Sequence, residues 1–168
     1  MVFYPDPQDQ LWNYEIETAL GYLRGFGCDV GCGRRTPFPH LVTVDIMHPE
    51  AAIHAPADQL PFPDNHFDFL LASHVMEHTE NPLATGKEWL RVVKPLGHVV
   101  IIHPDRRGTP WRGTKSFDSQ HKGDYVFDEL YEVLRLLPNA TIVNKEKMAL
   151  TLPDGRPWSF KVVLRKHG

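Results

Sequence analysis

The sequence is poor in cysteine: Cys28 and Cys32 are its only two. They stand close together in one apolar, glycine-containing loop, a poor setting for a bridge. A disulfide framework is therefore excluded, and a reducing, cytoplasmic setting is expected. No charge of one sign dominates. A formal net charge of -3 supplies no basic footprint for nucleic acid or for an anionic membrane, and no ladder of basic and aromatic residues replaces it. No apolar run approaches the ~20 residues of a membrane span. The first residues, MVFYPDPQDQLWNYE, hold acids and prolines where a secretory signal needs basic and then apolar residues. Internal repeats, low-complexity segments and linkers are also missing. What remains is a chain of 168 residues, 42% hydrophobic and 23% charged. That suits a single domain over 1–168, with 1–25 as an N-terminal helical arm.

Short apolar runs alternate with helical patterns, the signature of a largely parallel sheet covered by helices. Leu11, Tyr14, Ile16, Leu20 and Leu23 give helical spacing over 8–24. A first strand runs into Asp29-Val30 and breaks at Gly31-Cys32-Gly33. Residues 41–46 read as the second strand and 52–54 as a weak third. The run FDFLLAS at 67–73 and HVVIIH at 98–103 are strands buried on both faces. Between them, 83–93 is a helix stopped by Pro95 and Gly97. Proline, glycine and charge mark 104–123 as a long surface loop, and 127–137 as a helix ending before Pro138. Two strands, 141–150 and 159–165, pair antiparallel around a Pro153-Asp154-Gly155 turn. The predicted fold is α/β and Rossmann-like: a doubly wound, mostly parallel seven-stranded sheet with an antiparallel closing strand.

A strand, a glycine turn and a second strand ending in an acid form the nucleotide-site logic of such sheets. Glycine admits a ligand close to the backbone, and the acid binds ribose hydroxyls. Here the elements are Gly31-Cys32-Gly33 and Asp45. The dinucleotide fingerprint GxGxxG is not met, because Thr36 stands at its third glycine, and Asp45 comes sooner than the ~20 residues of that fingerprint. NAD is therefore disfavoured.

Several ordered blocks then resemble the class I S-adenosylmethionine-dependent methyltransferases, in particular their short type 11 members. The blocks are DVGCG, TVDIM, ADQLPFPDNHFD, LLASHVMEHTENP, EWLRVVKPLGHVVIIHPD, DSQHKGDYVFDEL and FKVVLRK. Two positions depart from the pattern. Arg34-Arg35 follow the glycine turn where many relatives carry another glycine, and Leu96 replaces a glycine in Pro95-Leu96-Gly97. The resemblance implies S-adenosyl-L-methionine as cofactor. It assigns Gly31, Cys32 and Gly33 to the backbone cradle, and Asp29 to that loop and the ligand's ammonium end. Asp45 would accept the ribose hydroxyls, and Asp58, flanked by Ala57 and Gln59, the adenine amine. Ile46 and Met47 would pack on the base, while Ser73, His74 and Val75 close the pocket. Candidates on the acceptor side are His121, Asp105 and His74, with His78 and His103 nearby and Arg106, Arg107, Arg112 and Lys115 around Trp111. A small-molecule or glycan-type acceptor is expected, without nucleic acid or membrane; the oligomeric state is not indicated.

Two other functions compete. A protein could bind the S-adenosyl ligand without catalysis, as a non-catalytic subunit. The string His74-Val75-Met76-Glu77-His78 also reads as H-x-x-E-H, a zinc hydrolase pattern when it lies on a helix. Here it follows a strand, and the same string occurs in the resembled family without metal, so no metal is expected.

Overall fold

Valine, isoleucine, leucine and phenylalanine are concentrated in the two predicted central strands, and these form the middle of the sheet. The computed structural model describes residues 1, 9–107, 121–123, 125–149 and 158–168. In chain order the elements are α1 (Gln10–Glu17), β1 (Gly27–Val30), β2 (Val42–Val44), β3 (Phe67–Ser73), α2 (Pro82–Val92), β4 (Val93–Pro104), α3 (Phe127–Leu134), β5 (Ala140–Lys147) and β6 (Ser159–Lys166). Short 3-10 turns occupy Leu20–Tyr22 and Met76–His78.

The sheet order is β2-β1-β3-β4-β6-β5. β1, β2, β3 and β4 are parallel, and β6 runs antiparallel to both β4 and β5. The expected antiparallel strand is therefore present, inserted between β4 and β5. Among the described residues the strands number six. The predicted strand at 52–54 is reduced to one parallel bridge, Val44 to Ile53. Pro49 and Pro56 bracket that segment, and Ile53 is its only large apolar side chain.

Alternation along β3 sorts the core into two layers. Leu70 and Ala72 pack with Trp89 and Leu90 of α2 and Leu130 and Leu134 of α3. Phe69 and Leu71 pack on the opposite face with Trp12 and Ile16 of α1. Full burial of each such large side chain contributes roughly 1.5–3 kcal/mol, so the two layers dominate the stability of the sheet. α2 begins at Pro82 because Asn81 caps it, its Oδ1 accepting from the Leu83 and Ala84 amides at 3.1 and 3.0 Å. α1 is shorter than the predicted 8–24 helix: Gly21 and Gly25 follow, and the chain tightens into a 3-10 turn. The substituted glycine position also shows its cost. Leu96 adopts φ 67, a left-handed conformation that a side chain disfavours. Both cysteines are free and buried. The Pro153-Asp154-Gly155 turn and most of the 104–123 loop lie outside the described residues. Among those described, no helix is long and apolar enough to cross a membrane.

Gly27 lies where β1 passes beneath the Phe69 ring, and an added Cβ would fall inside that ring's van der Waals shell. Gly27→Ala should cost about 1–3 kcal/mol through overpacking, read as a Tm lower by roughly 2–4 °C per kcal/mol. An unchanged Tm would show that Phe69 has room to retreat.

Candidate functional site

The carboxyl ends of β1, β2 and β3 open onto a cavity of about 470 Å³, within the roughly 300–1,000 Å³ typical of small-molecule sites. Gly31 (φ 67) turns the chain away from β1 and donates its N–H to the Val44 carbonyl at 2.7 Å. A Cβ on Gly31 would collide with Val75, so glycine there lets the β3 end pack against the turn. Gly33 (φ 50) differs: a Cβ there would meet open space.

Asp45 follows β2 and faces three backbone donors. Its carboxylate accepts from Gly33 N at 3.0 Å, Met47 N at 2.8 Å and His48 N at 2.9 Å. Burial works against the charge, but these amides prevail and hold Asp45 below the usual carboxylate range. Asp45 is thus a scaffold for the glycine turn as well as a cavity-lining acid. Asp29, at 3% exposure, has its Oδ2 without a hydrogen-bond partner among the described residues. Burial, opposed by the Thr36 hydroxyl and reinforced by the Asp45 charge, pushes its pKa up to about 8.

Gly31, Asp45, Ile46, Met47, Ala57, Asp58 and His74 all line the cavity. Asp29, Cys32, Gly33, Gln59 and Ser73 adjoin it in sequence without lining it; the Ser73 hydroxyl is buried and unpartnered among the described residues. Ile46 and Met47 are 64% and 71% exposed, an apolar surface available to a flat ligand group. Asp58 is exposed and also lines the cavity. Arg34 and Arg35, which depart from the family pattern, reach back to Asp9 at 3.0 and 2.8 Å and so tie the glycine turn to the start of α1. No helix forms between β1 and β2.

The acceptor-side candidates separate. His74 has φ 58, and its Nε2 lies 3.1–3.2 Å from both carboxylate oxygens of Glu15, a residue only 1% exposed. Glu15 also accepts from the Ser159 hydroxyl at 2.5 Å. Burial alone would discharge His74, but Glu15 raises its pKa to about 9. His74 is therefore an imidazolium near neutral pH and positions the wall; it is not a free base. Asp105 is fully buried and outside the cavity lining. Arg107 grips it through Nε at 2.9 Å and Nη2 at 2.7 Å. Burial notwithstanding, Arg107 holds its carboxyl below the usual range, so Asp105 fixes the end of β4 and is poorly placed for proton transfer. His121 packs edge-on against His78 at 4.8 Å between ring centroids, and His78 lines the cavity. Arg112, Lys115 and Trp111 lie outside the described residues.

The H-x-x-E-H string is not a helix face. His74 ends β3 with its ring on Glu15, while Met76–His78 form a 3-10 turn. Sequence reasoning missed Glu15 altogether. It sits beside Tyr14 and Ile16 with no local signal, and its partners are 59 and 144 residues away. It also missed Thr79 and Glu80 as cavity wall, whereas Val75, expected there, does line it.

Comparison with known proteins fits this geometry. A family model described as a methyltransferase domain matches residues 28–101. The chain is 34% identical over 114 residues to an uncharacterised protein of Methanocaldococcus jannaschii, covering 60% of this chain and 56% of that protein. It is 35% identical over 107 residues to an uncharacterised methyltransferase of Mycolicibacterium gilvum, covering 64% of this chain and 42% of that protein. The chain thus spans about half the length of these curated relatives. Its fold is similar to that of a solved S-adenosylmethionine-dependent methyltransferase of Thermotoga maritima. The TM-score is 0.70 with 20% identity, covering 94% of this chain and 89% of that one.

The raised pKa of Asp29 makes a prediction on stability. Its folded value, about 8, stands above its ordinary 3.8, so the native state keeps a proton that the unfolded chain releases in that window. Stability therefore falls as pH rises between those two values. Asp29→Asn, isosteric and uncharged, should raise Tm over wild type at about pH 8, by 2–4 °C per kcal/mol relieved, and change it little at about pH 4. The same Tm difference at both pH values would mean that Asp29 carries its charge in the folded protein.

Proposed function

We propose that the chain is a class I S-adenosylmethionine-dependent methyltransferase, that its cavity binds S-adenosylmethionine and that it transfers the methyl group to a small-molecule or glycan-type acceptor; the methyltransferase-domain match over residues 28–101 and the similar fold support this reading. The observation that carries this reading is the cavity that Gly31 of the glycine turn, Asp45, Ile46, Met47 and Asp58 line together. The rest of the wall is consistent with it. Gly33 leaves open space at the turn. Asp45 accepts three amides, and a carboxylate has about four acceptor positions, so capacity remains toward ribose. Ile46 and Met47 would hold an adenine ring, and Asp58 its amine.

The bound cofactor supplies an electrophilic methyl group on a sulfonium. The protein's share is to align the acceptor and exclude water. His74, charged and clamped by Glu15, would fix the wall where β3 ends. His121, beside His78, would face the acceptor.

The test is calorimetry. S-adenosylmethionine or its demethylated product should bind with micromolar affinity, and NAD should not bind. NAD binding without any S-adenosyl ligand binding would sink the assignment. Asp58→Ala refines the test, because Asp58 is exposed and its loss should leave Tm unchanged. One charge-assisted hydrogen bond contributes about 1.5–3 kcal/mol, so affinity should fall by about 10-fold or more. Affinity unaltered in Asp58→Ala would place the base elsewhere.

A further inference from the structure

We propose that Glu77, His78 and His121 form a binding site for a zinc-class divalent cation at the cavity wall. The three residues present ligand atoms that all lie within 4.8 Å of one another. The set differs from the H-x-x-E-H pair, since His74 is committed to Glu15 and His121 comes from a separate loop. It also runs against the sequence expectation of no metal.

Glu77 is the central member of the set. Its side chain is 1% exposed, yet its Oε2 has no hydrogen-bond partner among the described residues. A buried carboxylate oxygen without a donor is costly, by several kcal/mol if the group is charged. Its surroundings are imidazoles. His74 Nδ1 lies 3.9 Å from one carboxylate oxygen and His103 Nε2 lies 3.9 Å from the other. His103 offers no proton to Glu77. Its Nδ1 is 2.7 Å from the Pro104 carbonyl, which can only accept, so Nδ1 carries the hydrogen and Nε2 is a bare lone pair. That Nε2 is likewise buried and unpartnered among the described residues. Two lone pairs therefore confront each other across a distance too long for a hydrogen bond. A cation held by Glu77 with His78 and His121 would compensate the carboxylate, His103 staying outside the ligand set.

The backbone supports this use of the loop. The Lys122 and Gly123 amides donate to the Glu77 carbonyl at 2.7 and 3.1 Å, which pins His121 beside the carboxylate. One carboxylate and two imidazoles suit zinc and its late first-row neighbours; magnesium and calcium prefer oxygen throughout. Ligands at about 2.0–2.2 Å from a tetrahedral ion fall within that 4.8 Å of one another. Three protein ligands leave one coordination position open. Because His78 lines the cavity, that position would lie at the cavity wall, available to an oxygen or nitrogen of an acceptor.

The experiment needs no methyl donor, so it stands apart from the cofactor assignment. Chelator-stripped protein is titrated with Zn²⁺ by calorimetry and with Co²⁺ by visible absorption. One equivalent of each should bind, Co²⁺ developing the absorption of a low-symmetry site. His78→Ala and His121→Ala should each weaken binding at least as much as loss of an outer-shell partner does, about 10–100-fold. His121 sits in a loop and is only partly buried, so that variant should fold, with Tm recorded alongside. His167→Ala, whose imidazole pairs with Thr141 at 2.9 Å, should bind as wild type. Absence of binding in the wild type, or binding that survives both His78→Ala and His121→Ala, would overturn the proposal. Loss of binding on His167→Ala would overturn it equally.

Discussion

The contact between Glu15 and His74 is the constraint on which the site depends. A carboxylate buried to 1% exposure cannot remain charged without compensation, because the desolvation cost of an unpaired ion far exceeds the stability of a domain. Glu15 is compensated by the His74 ring and the Ser159 hydroxyl together. These come from three distant parts of the chain: α1, the end of β3 and the start of β6. To deliver its ring, His74 adopts φ 58, and the turn it makes sets Val75 against Gly31. One buried ion pair thus docks the N-terminal helix, shapes the end of β3 and closes the cavity beside the glycine turn. Arg34 and Arg35 reinforce the same docking from the other side through Asp9.

Ionisable groups then divide around the cavity by chemistry. Carboxylates gather on the side of β1 and β2, where Asp45 is stabilised by amides and Asp29 is held near neutrality by burial. Imidazoles gather past the ends of β3 and β4, and their environments push them apart. His74 is raised to about 9 in spite of burial, through Glu15. His103 is lowered to about 3, chiefly by burial. One is a fixed cation and the other a fixed neutral ring. Neither is poised to exchange a proton near neutral pH.

What could be read in the sequence was what local pattern decides. FDFLLAS and HVVIIH announce buried parallel strands because every second residue must face one layer, and both layers are apolar. The glycine turn and Asp45 are legible because their spacing is set by one short crossover. Where nonlocal contacts decide, the sequence was silent. Glu15 looks like a surface residue of an amphipathic helix until β3 and β6 are folded beside it. Asp105 looks like a free acid at a strand tip until Arg107, two residues on, closes over it. The string His74 to His78 looks like a metal-binding helix, yet a left-handed turn at His74 sends its two histidines to different partners. The weak strand at 52–54 failed for a local reason, since prolines on both sides leave only Ile53 to pair.

The central claim is that the cavity at the ends of β1, β2 and β3 holds the S-adenosyl group in one orientation. A crystal structure with S-adenosylhomocysteine bound tests it most directly. In that structure the amino-acid end would lie at the glycine turn, the ribose at Asp45, and the base between Met47 and Asp58. The sulfur would then point toward His74 and His78. A ligand seated elsewhere, or seated here with its ribose away from Asp45, would contradict it.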